Sequence, residues 1–238
     1  MIKIAYSNIE DLNITKGRKL VSAKRREKID NFRFDKDKKL SCGAFLLLKK
    51  LLNDEGIINP KFKTTYFSKP YIGNYENIHF NLSHSGNMVL CGISDKNIGV
   101  DIEYIDNTID LNIAKNYFYN NEYENIINSK KPTKEFFKYW VLKESFMKYV
   151  GLGFSLDLDN FNINIKNNNI NVKIINENLV RDQLKKDGIY QDILTNFKEK
   201  IENTVKFSLF EINKFKIGVA SPYKVNKIKE INLNELYI

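Results

Sequence analysis

Between residues 78 and 104 the chain carries three strand-like runs joined by two short turns, and this stretch constrains the fold more than any other. Residues 78–82 (IHFNL) alternate, residues 88–94 (MVLCGIS) form an apolar run suited to a buried strand, and residues 98–104 (IGVDIEY) form a third. Ser85-Gly86-Asn87 and Asp95-Lys96-Asn97 supply the turns. Short connections of this kind predict an antiparallel meander. Upstream, KIAYS reads as a short strand, residues 22–31 (SAKRREKIDN) as a basic helix, and residues 41–52 (SCGAFLLLKKLL) as an apolar helix ending in Lys49 and Lys50, which complement its dipole.

Downstream the period changes. Residues 111–119 and 121–128 read as short helices and residues 133–150 (TKEFFKYWVLKESFMKYV) as a long one. In the long helix Phe136, Phe137, Trp140, Val141, Phe146, Met147 and Val150 recur at helical spacing, and Gly151 and Gly153 end it. Strands return at 161–165, 171–175, 205–212 and 216–220, with a hairpin turn at 167–169. Helices followed by strands occur twice, which predicts an α+β protein of two similar halves, 1–104 and 105–238. Each half would hold a small, mainly antiparallel sheet with packed helices.

With 42% hydrophobic residues over 238 positions, the chain can bury a sizeable core and is no disordered segment. No apolar run approaches the ~20 residues that span a bilayer. The start lacks the charged head and apolar stretch of a signal peptide, and Cys42 and Cys91 are too few for a disulfide framework. A cytoplasmic protein is expected. The formal charge of +9 admits nucleic acid, an anionic surface, a phosphorylated small molecule or an acidic protein.

Asp101 and Glu103 are two apart on a strand and project from one face, beside Gly99, whose missing side chain leaves room for a ligand. Such a pair either faces water or shares a cation. As a metal site it suits Mg²⁺, and the lack of Cys/His clusters argues against zinc. Glu144 and Lys148 are neighbours on one helix face, with Lys143 turned about 100° away. They are either an exposed ion pair or a carboxylate completing a metal site one turn from a phosphate-reaching Lys. His79 alternates with apolar residues and reads as structural, whereas His84, in a small polar turn after Ser83, can donate to a phosphate. Lys24, Arg25, Arg26 and Lys28 are either a solvated face or a clamp for an anion, and Lys69-Pro70 holds a further cation rigidly.

In order along the chain, HFNLSHSG (79–86), IGVDIE (98–103), AKNYFYNNEY (114–123) and FFKYWVLKESFMKYVGLGFSLDLDNF (136–161) resemble the Sfp-type 4′-phosphopantetheinyl transferases. The likeness extends more loosely to SKPYI (68–72) and the basic helix. It implies transfer of the phosphopantetheine arm of coenzyme A to a serine of an acyl or peptidyl carrier protein, with Mg²⁺, at a cleft between two similar halves. By the same resemblance Asp101, Glu103 and Glu144 would be the Mg²⁺ ligands. Lys148 and Lys143 would neutralise phosphate charge. Ser83, His84, Lys69, Arg25 and Lys28, with Lys24 as a one-residue alternative in register, would hold the nucleotide. Glu122 would be a general base through a water, and Glu144 and Lys148 would share in catalysis. The site would be complete in one chain, hence a monomer, with neither nucleic acid nor membrane as partner.

Two departures stand out. Ser68 replaces the Gly common before Lys-Pro in this family. Residues 176–204 are longer than the usual connection, and Leu179, Leu184, Ile189, Ile193, Leu194 and Phe197 at helical spacing predict one or two added helices packed on the C-terminal sheet. Two other readings compete: a Mg²⁺-dependent phosphodiesterase or nuclease built on Asp101, Glu103 and His84, and a basic nucleic-acid-binding module. The lack of interleaved basic and aromatic residues counts against the second.

Overall fold

The computed structural model describes residues 1–167, 169–187 and 196–237. One order of elements occurs twice. The first run is strand β1 (Ile2–Asn8), short helices α1 (Ile14–Lys19) and α2 (Ala23–Asp30), long helix α3 (Asp35–Asp54), hairpin β2 (Phe62–Thr64) and β3 (Pro70–Ile72), then hairpin β4 (His79–Ser85) and β5 (Met88–Ser94). The second is β6 (Gly99–Tyr104), α4 (Asn112–Tyr117), α5 (Asn120–Ile127), long helix α6 (Pro132–Val150), hairpin β7 (Phe161–Lys166) and β8 (Asn169–Ile174), helices α7 (Glu177–Asp187) and α8 (Phe197–Thr204), then hairpin β9 (Lys206–Ile212) and β10 (Phe215–Ser221). In both sheets the last strand lies in the middle, β1-β5-β4 and β6-β10-β9, with every one of these pairs antiparallel. α3 packs on the first sheet and α6 on the second. The duplication expected from element order is therefore present in the strand order as well.

The expected meander is only half right. β4 and β5 form the hairpin, but β6 pairs along its whole length with β10, from Tyr104 opposite Phe215 to Gly99 opposite Ala220. The division expected at 104/105 thus runs between β6 and the strand it pairs with. The chain also returns across it, since β11 (Lys229–Glu230) pairs parallel with β1 and Leu233 joins the core under α3.

Gly99 has a different use from the one expected. A Cβ there would overlap the Ser145 carbonyl oxygen and the Tyr149 nitrogen, and one at Gly218, on the neighbouring strand, would overlap the Val141 carbonyl. The space serves the backbone of α6, which two glycines allow to lie close on the sheet. α6 begins at Pro132 and ends at Gly151 in the left-handed conformation, φ 86°, as Pro and Gly preferences dictate. Phe136, Phe146 and Met147 are buried in the second core, each worth about 1.5–3 kcal/mol of transfer free energy. α3 starts earlier than expected, with Asp35 and Asp37 in its first turn. It also runs past Lys49 and Lys50, so those lysines do not cap its end; Lys50 pairs with Asp54 at 2.5 Å.

In the added segment Val180, Leu184, Phe197 and Ile201 are buried in the second core, while Leu179 is half-buried. Glu202 Oε1 accepts the Ile174 N–H at 2.6 Å, which fastens α8 to β8. Ile189, Ile193 and Leu194 lie outside the described residues, as does residue 168 in the turn expected at 167–169. No helix among the described residues is long and apolar enough to cross a membrane.

Candidate active site

Where the halves meet, β4, β6, α2, α3 and α6 enclose a cleft of about 490 Å³. Its floor is acidic. Asp101 and Glu103 project from β6, and α6 contributes Trp140, Glu144 and Lys148, spaced by four and so aligned on one face. Lys148 Nζ lies 2.6 Å from Asp101 Oδ1, donates to Ser83 Oγ at 3.1 Å, and is 4.0 Å from Glu144 Oε2. Ser83 Oγ donates to Asp101 Oδ1 at 2.8 Å, and Ser85 Oγ to Glu103 Oε2 at 2.7 Å. Trp140, also on the cleft, favours the charged form of Glu103 slightly.

Three carboxylates face one ammonium here. Burial, and then repulsion from Asp101, push Glu103 and Glu144 up to about 7 each. Burial alone would lower Lys148, but Asp101, Glu144 and Glu103 outweigh it and raise it. Asp101 Oδ2 and Glu144 Oε1 are buried and accept no hydrogen bond among the described residues. His84 is exposed overall, yet its ring is partly desolvated, which lowers its pKa, and Lys148 lowers it further. It is neutral at pH 7 and meets a ligand as a hydrogen-bonding group.

The opposite wall is basic. Arg25 and Lys28, one turn apart on α2, line the cleft, with Arg25 held over the Phe45 ring at 4.6 Å. α2 itself is started by Ser22, whose Oγ accepts the Arg25 N–H at 3.3 Å. Residues 16–39 hold eleven Lys and Arg against four Asp and Glu, a net +7 of the chain's +9; of these charges Arg25, Lys28 and Asp37 line the cleft. Phe32, Leu40 and Ala44 add apolar surface.

Of the residues expected at the site, Arg25, Lys28, Ser83, His84, Asp101, Glu103, Glu144 and Lys148 are brought together on this cavity. Lys24 is not: it is exposed and does not line the cleft, whereas Arg25 and Lys28 do. Lys69 does not line the cleft; its Nζ donates to the Tyr149 carbonyl at 3.2 Å and lies 3.5 Å from that of Ile98. Preceding it, Ser68 has φ 64°, the left-handed conformation for which Gly is suited. Glu122 and Lys143 correct the expectation most. Both are 0% exposed and pair with each other at 2.8 Å inside the second half. Lys143 Nζ also donates to the Leu158 and Phe161 carbonyls at 2.7 and 2.9 Å. Glu122 accepts the Ile163 N–H at 2.6 Å and the Tyr119 N–H at 3.0 Å. Neither reaches the cleft, so neither a general-base role for Glu122 nor a phosphate contact for Lys143 has geometric support.

Lining residues that were not expected include Asp37, Trp140 and Phe154. Trp140 reads as core by its spacing, yet four residues later comes Glu144 and four more Lys148, a signal for one shared face. Phe154 is 73% exposed in the turn after α6, and no pattern in the sequence marks it.

The carboxylate floor is a set of hard oxygen donors with two orphaned oxygens and an uncompensated negative charge, which fits a divalent cation such as Mg²⁺. Among the described residues no three His, Cys, Asp or Glu side chains already converge on one point; with Lys148 seated on Asp101, an ion would draw the carboxylates together.

A family model described as 4′-phosphopantetheinyl transferase superfamily matches residues 97–198, and one described as 4′-phosphopantetheinyl transferase, N-terminal, matches residues 12–95. The two matches part at the turn between β5 and β6. The 4′-phosphopantetheinyl transferase ffp of Bacillus subtilis is 35% identical over 150 residues, 61% of this chain and 66% of that protein. The 4′-phosphopantetheinyl transferase Sfp of Bacillus subtilis (strain 168) is 33% identical over 150 residues, again 61% and 66%. The 4′-phosphopantetheinyl transferase psf-1 of Bacillus pumilus is 33% identical over 171 residues, 68% of this chain and 70% of that protein. The alignments thus span about two thirds of each relative's length. With both halves matched in order and the motif residues gathered on one cleft, the chain belongs to the 4′-phosphopantetheinyl transferase superfamily, with the Sfp-type members among its relatives.

Proposed function

We propose that this chain moves the phosphopantetheine arm of coenzyme A to a serine of an apo acyl or peptidyl carrier protein, releasing 3′,5′-ADP, with Mg²⁺ bound. The observation that carries the proposal is one cleft with a carboxylate floor and a basic wall, in a member of a transferase family. Asp101, Glu103 and Glu144 would hold the ion, whose chemistry is to neutralise charge on the pyrophosphate. Attack of a serine on a phosphoanhydride is chiefly a matter of positioning and charge neutralisation. Lys148 supplies a cation at the floor, and Arg25 and Lys28 supply two on the wall for the remaining phosphate charge. Neutral His84 contributes a hydrogen bond. Glu144 is assigned as acceptor of the serine proton, supported by its place on the cleft and its orphaned Oε1. The positive charge of residues 16–39 suits an acidic carrier, through steering that weakens with salt. We further propose a monomer, since one chain lines the whole cleft, acting in the cytoplasm, where the buried thiols Cys42 and Cys91 stay reduced.

The test is incubation with coenzyme A, Mg²⁺ and several apo carriers, followed by mass spectrometry of the carriers. A gain of one phosphopantetheine arm is expected, and Asp101→Ala should abolish it while keeping the fold. Release of a nucleotide with no carrier modified would instead support the phosphodiesterase reading, which family membership leaves without support.

A further inference from the structure

β4 and β6 lie side by side at the junction of the halves and run in the same direction, yet among the described residues they belong to different sheets with no backbone ladder between them. A row of side chains joins them instead. Asn81, Ser83 and Ser85 alternate along β4 and therefore face one way. Asn81 Oδ1 accepts the Val100 N–H at 2.9 Å. Ser83 Oγ donates to Asp101 Oδ1 at 2.8 Å. Ser85 Oγ accepts the Tyr104 N–H at 3.0 Å and donates to Glu103 Oε2 at 2.7 Å.

The chemistry suits the residue types. A buried backbone N–H needs an acceptor, and where β4 offers no carbonyl in register the Asn amide oxygen serves. A serine hydroxyl has one proton and two lone pairs. Ser85 can therefore take a backbone N–H of β6 and give its proton to the carboxylate next to it in sequence. Donation to a carboxylate is charge-assisted, and 2.7 Å is short, as such bonds are. The side chains that fasten the two halves are thus the ones that orient the two acidic side chains of the floor.

We propose that Asn81, Ser83 and Ser85 are positioning residues: they lock β6 against β4 across the junction and so aim Asp101 and Glu103 for a divalent cation. The cation part rests on the transferase reading; the locking part does not. Full-length Ser85→Ala is compared with wild type in two measurements, hydrogen exchange of the Tyr104 amide and calorimetric titration with Mg²⁺ alone. Faster exchange at Tyr104 and a Mg²⁺ affinity lower by roughly tenfold are expected, the fold-change that follows from losing one hydrogen bond to a charged group. Ser85→Thr, which keeps the hydroxyl, should restore both. A folded Ser85→Ala with wild-type exchange at Tyr104 would overturn the lock, and one with freed exchange but wild-type Mg²⁺ affinity would overturn the aiming. Should Ser85→Ala not fold, Asn81→Ala, which removes the acceptor for the Val100 N–H, carries the exchange comparison at Val100, and Ser83→Ala, which removes the donor to Asp101, carries the Mg²⁺ comparison. Failure of the carrier assay would leave the exchange result standing, so the two proposals fail separately.

Discussion

Replacing Glu122 by Gln separates the two accounts of that residue. In the structure Lys143 spends its three protons on Glu122, the Leu158 carbonyl and the Phe161 carbonyl, with no exposure to water. Burial pushes its pKa down from 10.5 to about 8, less far than it would go without Glu122, and it stays protonated at pH 7. Gln fits the space and can still accept the Ile163 N–H, but it removes the countercharge. Breaking a buried pair from one side costs about 3–5 kcal/mol. An upper bound follows from linkage: Lys143 can escape by deprotonating, and moving from 10.5 to below pH 7 costs about 3.5 × 1.36, or ~4.8 kcal/mol. For a chain of this size that is a fall in Tm of roughly 6–20 °C. Because the variant's folded state has lost a proton that its unfolded state keeps, its stability should rise with pH, recovering about 1.4 kcal/mol per unit between 7 and 10. The measurements are melts from pH 7 to 10, with Glu122→Gln, Lys143→Met and the double variant in a thermodynamic cycle, and carrier loading per folded molecule. The double variant should be less damaged than the two single losses combined, and loading should largely survive at temperatures where Glu122→Gln is folded. A variant that melts like wild type but transfers nothing would make Glu122 the base after all and refute the structural reading.

Ser68→Gly should raise stability by about 0.5–1 kcal/mol, since the strain of a Cβ at φ 64° is relieved; a melt that falls would show that the Ser side chain matters more than its backbone. Glu103 and Glu144, raised to about 7, contribute stability that is complete below about 4.5 and is lost as pH rises through 7. The ion-free protein should therefore lose Tm between pH 5 and 8, with Mg²⁺ restoring it most at the alkaline end and Mg²⁺ affinity rising from pH 6 to 8, as calorimetry and melts would record. Lys28→Ala should raise the KM for coenzyme A roughly tenfold with little change in kcat, while Lys24→Ala on the exposed face should leave both within about twofold; steady-state kinetics decide.

What could be read from the sequence was whatever depends on neighbours a few positions away. Asp101 and Glu103 share a face because a strand repeats every two residues, and Glu144 and Lys148 because a helix nearly repeats every four. The ends of α6 are written in Pro132 and Gly151. What escaped depends on distant partners. Nothing within 98–104 says that β6 will pair with residues 215–220 rather than with β5. The burial of Lys143 comes from Glu122 on α5 and from the carbonyls of residues 158 and 161, none of them implied by its own helix. It stands beside Glu144 in sequence, but the 100° turn between them takes one into the cleft and the other into the core. The resemblance at residues 68–72 implies a phosphate contact for Lys69, but its four-carbon stem reaches the carbonyl at Tyr149 instead.

The duplication also accounts for why the molecule has one site and not two. In the first sheet Ala5 and Cys91 are cross-strand partners packed in the core against α3. In the second sheet Asp101 and Gly218 are cross-strand partners, and Gly218 lies beneath α6. Ala and Cys close the first sheet–helix interface with apolar contact. Gly218 lets α6 come down so far that a carboxylate at the next strand meets Lys148 and Glu144 at the helix edge, 2.6 Å from the ammonium. The first half, having no acidic floor, supplies the basic wall through α2 and the hydroxyls of β4. The carboxylates of β6 find donors on both sides of the junction: Asp101 takes Lys148 of α6 and Ser83 of β4, and Glu103 takes Ser85 of β4. The chemistry and the docking of the halves depend on the same contacts, which is why changes at Ser83 and Ser85 should register in both.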